Sequence, residues 1–240
     1  MSQALKGLVL SGGKGTRLLP YTVVLPKPLM PIADVPILDV VIRQLKAHGF
    51  RDITISVGYL AELIMAYCRN GERYQLQLRY STEEEPLGTA GPLAEIQDLD
   101  DTFLVMNGDV LTTLNYSDLI GFHKKHGAAA TIATHRRKVV IDFGVMEIDG
   151  HSNELREYRE KPTLEYSVSM GIYVFEPRIL RYIKRGQKMD LPELAQKLMA
   201  SKEKVLCYLS DEYWLDIGRP DDYRKAVEEF DGLKDRLLRA

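Results

Sequence analysis

Three glycines, two lysines and an arginine crowd into the first thirty residues, in the run Leu10-Ser-Gly12-Gly13-Lys14-Gly15-Thr16-Arg17 and in Pro26-Lys27-Pro28. Glycines directly after an apolar stretch let backbone N–H groups approach a ligand closely, and a turn of that kind can cradle phosphate. Two familiar phosphate loops do not fit. A P-loop read from Gly7 puts Gly13 where its lysine belongs, and a dinucleotide fingerprint read from Gly13 ends on Leu18. What remains is a glycine turn with Lys14 and Arg17 beside it, followed by a lysine braced between two prolines. The prolines restrict the backbone around Lys27, so its ammonium is delivered at lower entropic cost. Taken alone, the glycines describe a tight turn with solvated cations equally well.

Carboxylates are a natural complement, because anions gathered in one site repel each other and a cation held by carboxylates offsets that. Unit charges at contact cost on the order of 4 kcal/mol even at an effective dielectric near 20. Asp109 follows the apolar run Phe103–Met106 and the turn Asn107-Gly108, where ligands gather in α/β sheets. Asp216 ends the short apolar segment Tyr213-Trp-Leu-Asp just before a helix. Each aspartate by itself is as readily a cap or turn residue.

The elements that must position these residues alternate. Strand patterns at 7–10, 53–57, 77–80 and 103–106 are interleaved with helix patterns at 37–48, 60–69, 90–97 and 116–126. Such alternation predicts an α/β fold, a Rossmann-like, mostly parallel sheet flanked by helices. From 131 onward the pattern turns β-rich (131–134, 144–148, 155–159, 169–175), with helices at 178–184 and 191–200 and a strand at 205–209. The last helix opens on Pro220, Asp221 and Asp222 and carries an apolar stripe at Tyr223, Ala226, Val227 and Phe230. One domain is expected, with a nucleotide-binding half over about 1–127 and a β-rich, sugar-binding half over about 128–240.

These motifs together resemble the sugar-phosphate nucleotidylyltransferases. Ser11 to Pro20, followed by Leu25-Pro-Lys-Pro-Leu-Met-Pro31, looks like their N-terminal signature, and Glu84 to Pro92 resembles their base-recognition loop in the form of the mannose-1-phosphate guanylyltransferases. The resemblance implies a Mg²⁺-dependent enzyme joining a nucleoside triphosphate to a sugar 1-phosphate, GTP and mannose 1-phosphate being the first expectation. Heptose 1-phosphate with GTP, and glucose or N-acetylmuramate 1-phosphate with UTP or dTTP, are the alternatives. It implies that Arg17 and Lys27 are catalytic and that Leu10, Gly12, Gly13, Gly15, Thr16, Glu85, Pro86, Gly88 and Thr89 bind the nucleotide. By the same resemblance Asn107, Gly144, Glu160 and Lys161 hold the sugar phosphate, and Asp109 and Asp216 the metal. Ser169-Met170-Gly171 departs from the asparagine that many relatives place there. Some guanylyltransferases of the family add a β-helical domain, for which the tail 231–240 is too short. A sugar-nucleotide sensor without chemistry is the rival class, but it should lack one of Arg17, Lys27, Asp109 or Asp216.

The bulk composition fits these expectations. In 240 residues the formal net charge is -2, with 45% hydrophobic and 28% charged residues. Without a basic footprint, nucleic acid is not expected as a partner. No apolar run approaches the ~20 residues of a membrane span, and the start does not read as a signal peptide. Only two cysteines occur, Cys68 and Cys207, which suits a reducing cytoplasm and incidental thiols. Assembly into a homo-oligomer is left open.

Overall fold

A computed structural model describes residues 5–83 and 85–238. The first strand, β1 (Leu5–Ser11), alternates its side chains between two cores, with Leu8 on one face of the sheet and Val9 on the other. Apolar residues on both faces mark a strand covered on both sides by other elements. The chain then makes three short 3-10 turns (Thr16–Leu18, Tyr21–Val23, Lys27–Leu29) and a small hairpin, β2 (Pro31–Ile32) with β3 (Val35–Pro36). Helix α1 (Ile37–Ala47) leads to β4 (Phe50–Val57), and α2 (Ala61–Cys68) leads to β5 (Gln77–Thr82). The central strand β6 (Phe103–Asn107) is followed by the short β7 (Val110–Thr112) and by α3 (Tyr116–His126). Asn115 caps α3, its side chain accepting from the backbone N–H groups of Ser117 and Asp118.

The second half contributes β8 (Ala130–Val140), the hairpin β9 (Val145–Ile148) and β10 (Leu155–Arg159), and β11 (Thr163–Phe175). Then come α4 (Leu191–Ala200), β12 (Val205–Ser210), β13 (Trp214–Asp216) and α5 (Pro220–Leu238). The seven-stranded sheet has the order β12-β8-β11-β6-β1-β4-β5, and β11 is the one strand antiparallel to its neighbours. The fold is thus the expected mixed, mostly parallel sheet with helices on its faces. From β1 the chain steps outward to β4 and β5, then returns to place β6 on the opposite side of β1. That reversal is a topological switch point, and it opens a crevice at the carboxyl ends of β1 and β6.

Several elements differ from the sequence patterns. Residues 90–97 form only a 3-10 turn, Gly91–Ala94, which is tied to the chain ahead of α4 by the N–H groups of Ala90 and Gly91, both donating to the Met189 carbonyl. The expected helix at 178–184 is likewise a 3-10 segment, Pro177–Tyr182. β8 and β11 extend well past their apolar stretches and carry the β9–β10 hairpin at their far end. Cys68 is buried and Cys207 exposed, and the two are not bonded.

Candidate active site

The glycine turn begins where β1 ends. Gly15 adopts a left-handed backbone (φ 62°), and a Cβ there would lie 2.9 Å from the Thr22 side chain, so no other residue fits without strain. The Thr22 hydroxyl donates to the Gly15 carbonyl and ties the turn to the next segment. Gly12 packs against Glu83 and the backbone of Gly58, whereas Gly13 faces open space. The 3-10 turn after Pro26 buries Lys27, leaving 8% of it exposed, and aims its ammonium at Asp109, whose Oδ2 accepts from Nζ.

Asp109 is placed by the end of β6. Gly108 donates its N–H to the Leu10 carbonyl, and a Cβ at Gly108 would come within 2.4 Å of Ser11 Oγ. Glycine is what permits the β6 turn to touch the β1 turn. Asp216 arrives from far along the chain. β13 pairs with β7 so that Asp216 sits opposite Val110, and Ile217 donates its N–H to the Asp109 carbonyl. Two three-residue strands thereby bring the two aspartates together.

Their electrostatics follow from that convergence. Burial raises the Asp216 carboxyl above the usual carboxylate range, and the negative charge of Asp109 raises it further, against the pull of Lys27 and Arg17. Asp109 Oδ1 is buried with no hydrogen-bond partner, as is Ser11 Oγ. A buried, unsatisfied carboxylate oxygen beside a second carboxylate is a donor set that suits a hard cation. Among the described residues no group of three or more metal-ligating side chains exists. The pair therefore fits an ion that takes one or two carboxylates and completes its shell with substrate oxygens and water, as Mg²⁺ does.

A stability consequence follows. A carboxyl whose pKa is raised by folding binds its proton more tightly in the native state, so its ionisation destabilises the fold as pH rises through that raised pKa. Asp216→Asn is expected to melt at a higher temperature than the parent at neutral pH in a chelator. The difference should shrink toward zero below about pH 4, where the carboxyl is protonated in both states. A lower melting temperature for the variant at neutral pH would contradict this reading of the pair.

Two cavities flank the aspartates. One of about 250 Å³ is lined by Leu10, Gly13, Gly15, Thr16, Arg17, Lys27 and Asp109, among others. The other, of about 350 Å³, is lined by Asn107, Ser169, Tyr173, Asp190, Trp214 and Asp216, with Thr89 at its side. Nine of the expected site residues besides Asp216 thus line one cavity or the other. Arg17 lies with its guanidinium against Gly218.

The loop after β5 lies at the same rim. Glu83 braces it, accepting from Ser56 Oγ and from the Leu87 N–H, and Asp190 Oδ1 accepts from the N–H and hydroxyl of Thr89. Gly88 packs against the Met189 carbonyl. Glu85, Pro86 and Gly88 belong to this loop but do not line the two cavities, and Glu84 is outside the described residues. Gly144, Glu160 and Lys161 are brought together at the β9–β10 hairpin, where Glu160 accepts from the Tyr158 hydroxyl. All three lie away from the lining of both cavities.

Sequence reasoning passed over Ser11, Glu83, Asp190 and Trp214. Ser11 had a signal, since it stands inside the glycine run. Glu83 and Asp190 had none, because their roles depend on pairings between distant segments. Trp214, the one tryptophan of the chain, stands in sequence as part of an apolar segment, yet its indole N–H donates to the Met170 carbonyl and its ring walls the second cavity.

A doubly wound sheet with cations and two carboxylates at its switch point defines an α/β protein with a charged crevice, and comparison with known families gives its class. The family model of the nucleotidyl transferases matches residues 6–231, and the chain belongs to that family. It is 37% identical to the UTP–glucose-1-phosphate uridylyltransferase of Synechocystis, over 93% of this chain and 62% of that protein. It is 34% identical to the mannose-1-phosphate guanylyltransferase catalytic subunit beta of Danio rerio, over 91% of this chain and again 62% of the relative. The chain therefore spans about three-fifths of the length of these curated relatives. Among solved structures, HddC from Yersinia pseudotuberculosis matches with a TM-score of 0.72 at 25% identity, covering 94% of this chain and 99% of that one.

Proposed function

We propose that the protein is a sugar-1-phosphate nucleotidylyltransferase that transfers GMP from GTP to mannose 1-phosphate and releases pyrophosphate. The observation that carries this reading is the convergence of Arg17, Lys27, Asp109 and Asp216 at the switch point of the sheet. A sensor that had lost the chemistry would have no reason to keep two converging carboxylates, one with a buried unpartnered oxygen, beside a buried lysine.

An oxygen of the sugar 1-phosphate attacks the α-phosphorus in line, the bond to the β-phosphate oxygen breaks, and pyrophosphate departs with that electron pair. The attacking phosphate is already ionised at neutral pH, so no protein nucleophile is needed. Catalysis is positioning plus charge stabilisation. Lys27 neutralises charge at the reacting phosphates, and Arg17 with the amides of the glycine turn grips the triphosphate. Asp109 and Asp216 would hold Mg²⁺, which supplies charge neutralisation between the two anions when bound. The cavity lined by Asn107, Ser169, Tyr173 and Asp190 offers hydroxyl, amide and carboxylate partners to a sugar.

GTP and mannose 1-phosphate are favoured by the form of the 85–92 loop and by relatives named for that activity in fish and yeasts at 34% identity. The HddC neighbour was also solved with GMP-PN. Uridylyl transfer to glucose 1-phosphate is the second reading, favoured by the 37% identity to the Synechocystis enzyme. A matrix of GTP, UTP, dTTP, ATP and CTP against mannose, glucose and heptose 1-phosphates separates them. The highest kcat/KM is expected for GTP with mannose 1-phosphate. A clear preference for UTP with glucose 1-phosphate would replace the first reading by the second.

A further inference from the structure

A third cavity, of about 490 Å³, adjoins the site on the other side of Asp216 and Trp214. Its origin is a mismatch of strand lengths. β12 ends at Ser210, opposite His135, whereas β8 runs on to Val140, so from Arg136 onward one edge of β8 has no strand beside it. The opposite wall is the turn after β13 and the first turns of α5, contributing Gly218, Arg219, Asp222 and Lys225. Arg136, Arg137 and Lys138 face them from β8, and Arg17 stands at the mouth. Six cations thus line the cleft, against the two carboxylates of Asp216 and Asp222.

These cations are not spent on internal ion pairs. Among the described residues, Arg136 has Glu165 at 3.9 Å and Lys225 has Glu229 at 3.9 Å, both loose and solvent-facing. Arg17, Arg137, Lys138 and Arg219 have no carboxylate within ion-pair distance among the described residues. In a chain with a net charge of -2, a concave surface this basic is a local feature. Unpaired like charges held together repel, and a cleft of one sign concentrates counter-ions of the other.

Continuity with the site narrows the ligand. Arg17 lines both this cleft and the cavity of the glycine turn, so a phosphate chain held by the turn leads past it into the cleft. The cavity on the other side of Trp214 contains no lysine or arginine and suits a neutral polyol. The charge excess in the cleft matches a phosphate chain better than a single phosphate monoester. We propose that the cleft between the open edge of β8 and the start of α5 is a second phosphate subsite, which receives the pyrophosphate end of the nucleotide and holds pyrophosphate before its release. The inference rests on the nucleotidyl-transfer reading above for the source of the pyrophosphate.

The test uses the full chain with Arg137→Gln and Lys138→Gln combined, and separately Lys225→Gln on the facing wall. Inorganic pyrophosphate is titrated calorimetrically into each protein, and the KM values for pyrophosphate in the reverse reaction and for sugar 1-phosphate in the forward reaction are measured. The double variant should bind pyrophosphate about tenfold more weakly, with a smaller loss for Lys225→Gln and weaker salt dependence in both. The KM for sugar 1-phosphate should stay within about twofold of the parent. Unchanged pyrophosphate affinity in both variants overturns the proposal. A loss confined to the sugar 1-phosphate overturns it in favour of an acceptor anion, and pyrophosphate that still binds in the calorimeter to protein saturated with GTP overturns it in favour of a separate effector site. If the parent protein turns over no substrate pair, the transfer reading fails, while the titration still decides whether the cleft binds pyrophosphate.

Discussion

Replacing Lys27 with alanine is expected to lower kcat by about 10²–10³, the typical effect of losing one preorganised electrostatic contact. The reason lies in how the ammonium is held. Pro26 and Pro28 fix the backbone on either side, the 3-10 turn Lys27–Leu29 points the side chain inward, and only 8% of the residue remains exposed. A charge presented in a dry pocket needs no reorganisation when the phosphates react. Because Asp109 accepts from Nζ, the substitution also leaves that carboxylate without its cation. Steady-state kinetics with saturating substrates measure the loss, and a circular dichroism melt separates it from unfolding. Lys27→Arg should recover only part of the rate, since a planar guanidinium does not fill the site of a compact ammonium. Turnover near that of the parent in Lys27→Ala would remove Lys27 from the mechanism.

The second large effect is expected at the aspartates. Asp109→Asn and Asp216→Asn should each abolish Mg²⁺-dependent turnover while leaving the far-ultraviolet spectrum unchanged. Asparagine keeps the shape and loses the charge, and a two-carboxylate site for a hard cation does not tolerate that. The pair also gives a readout independent of rate. Mg²⁺ with nucleotide should raise the melting temperature of the parent by ligand linkage, and of neither variant. Full activity in one variant would free that residue from the metal. Full activity in both would end the two-carboxylate account.

Much of this site is legible in the sequence because its parts are local. The glycine turn and the Asn-Gly-Asp turn each follow a strand whose apolar run announces it, and the Pro-Lys-Pro brace is marked by its own prolines. The convergence of Asp109 and Asp216 is not local. It depends on the pairing of β7 with β13, two strands of three residues each, too short to leave a periodic signal. The strand pattern at 131–134 stops short of Arg136, yet residues 136–140 continue β8, because residues 163–167 of β11 supply their backbone partners.

The same limit explains the cationic cleft. Arg136 to Lys138 and Arg219 to Lys225 are about eighty residues apart in sequence, and the early end of β12 lets them face each other. It also explains the positions of Glu160 and Lys161. Their motif is clear, but the length of the ribbon that carries them, not the motif, decides how far they stand from the cavities.

The central claim is that one site joins two phosphorylated substrates without cleaving either alone, and the initial rate of pyrophosphate release tests it most directly. With GTP and Mg²⁺ present, release should begin only when mannose 1-phosphate is added, and should stop on chelation of the metal. Pyrophosphate released at the same rate without any sugar 1-phosphate, or never released with any pair of substrates, would contradict the account.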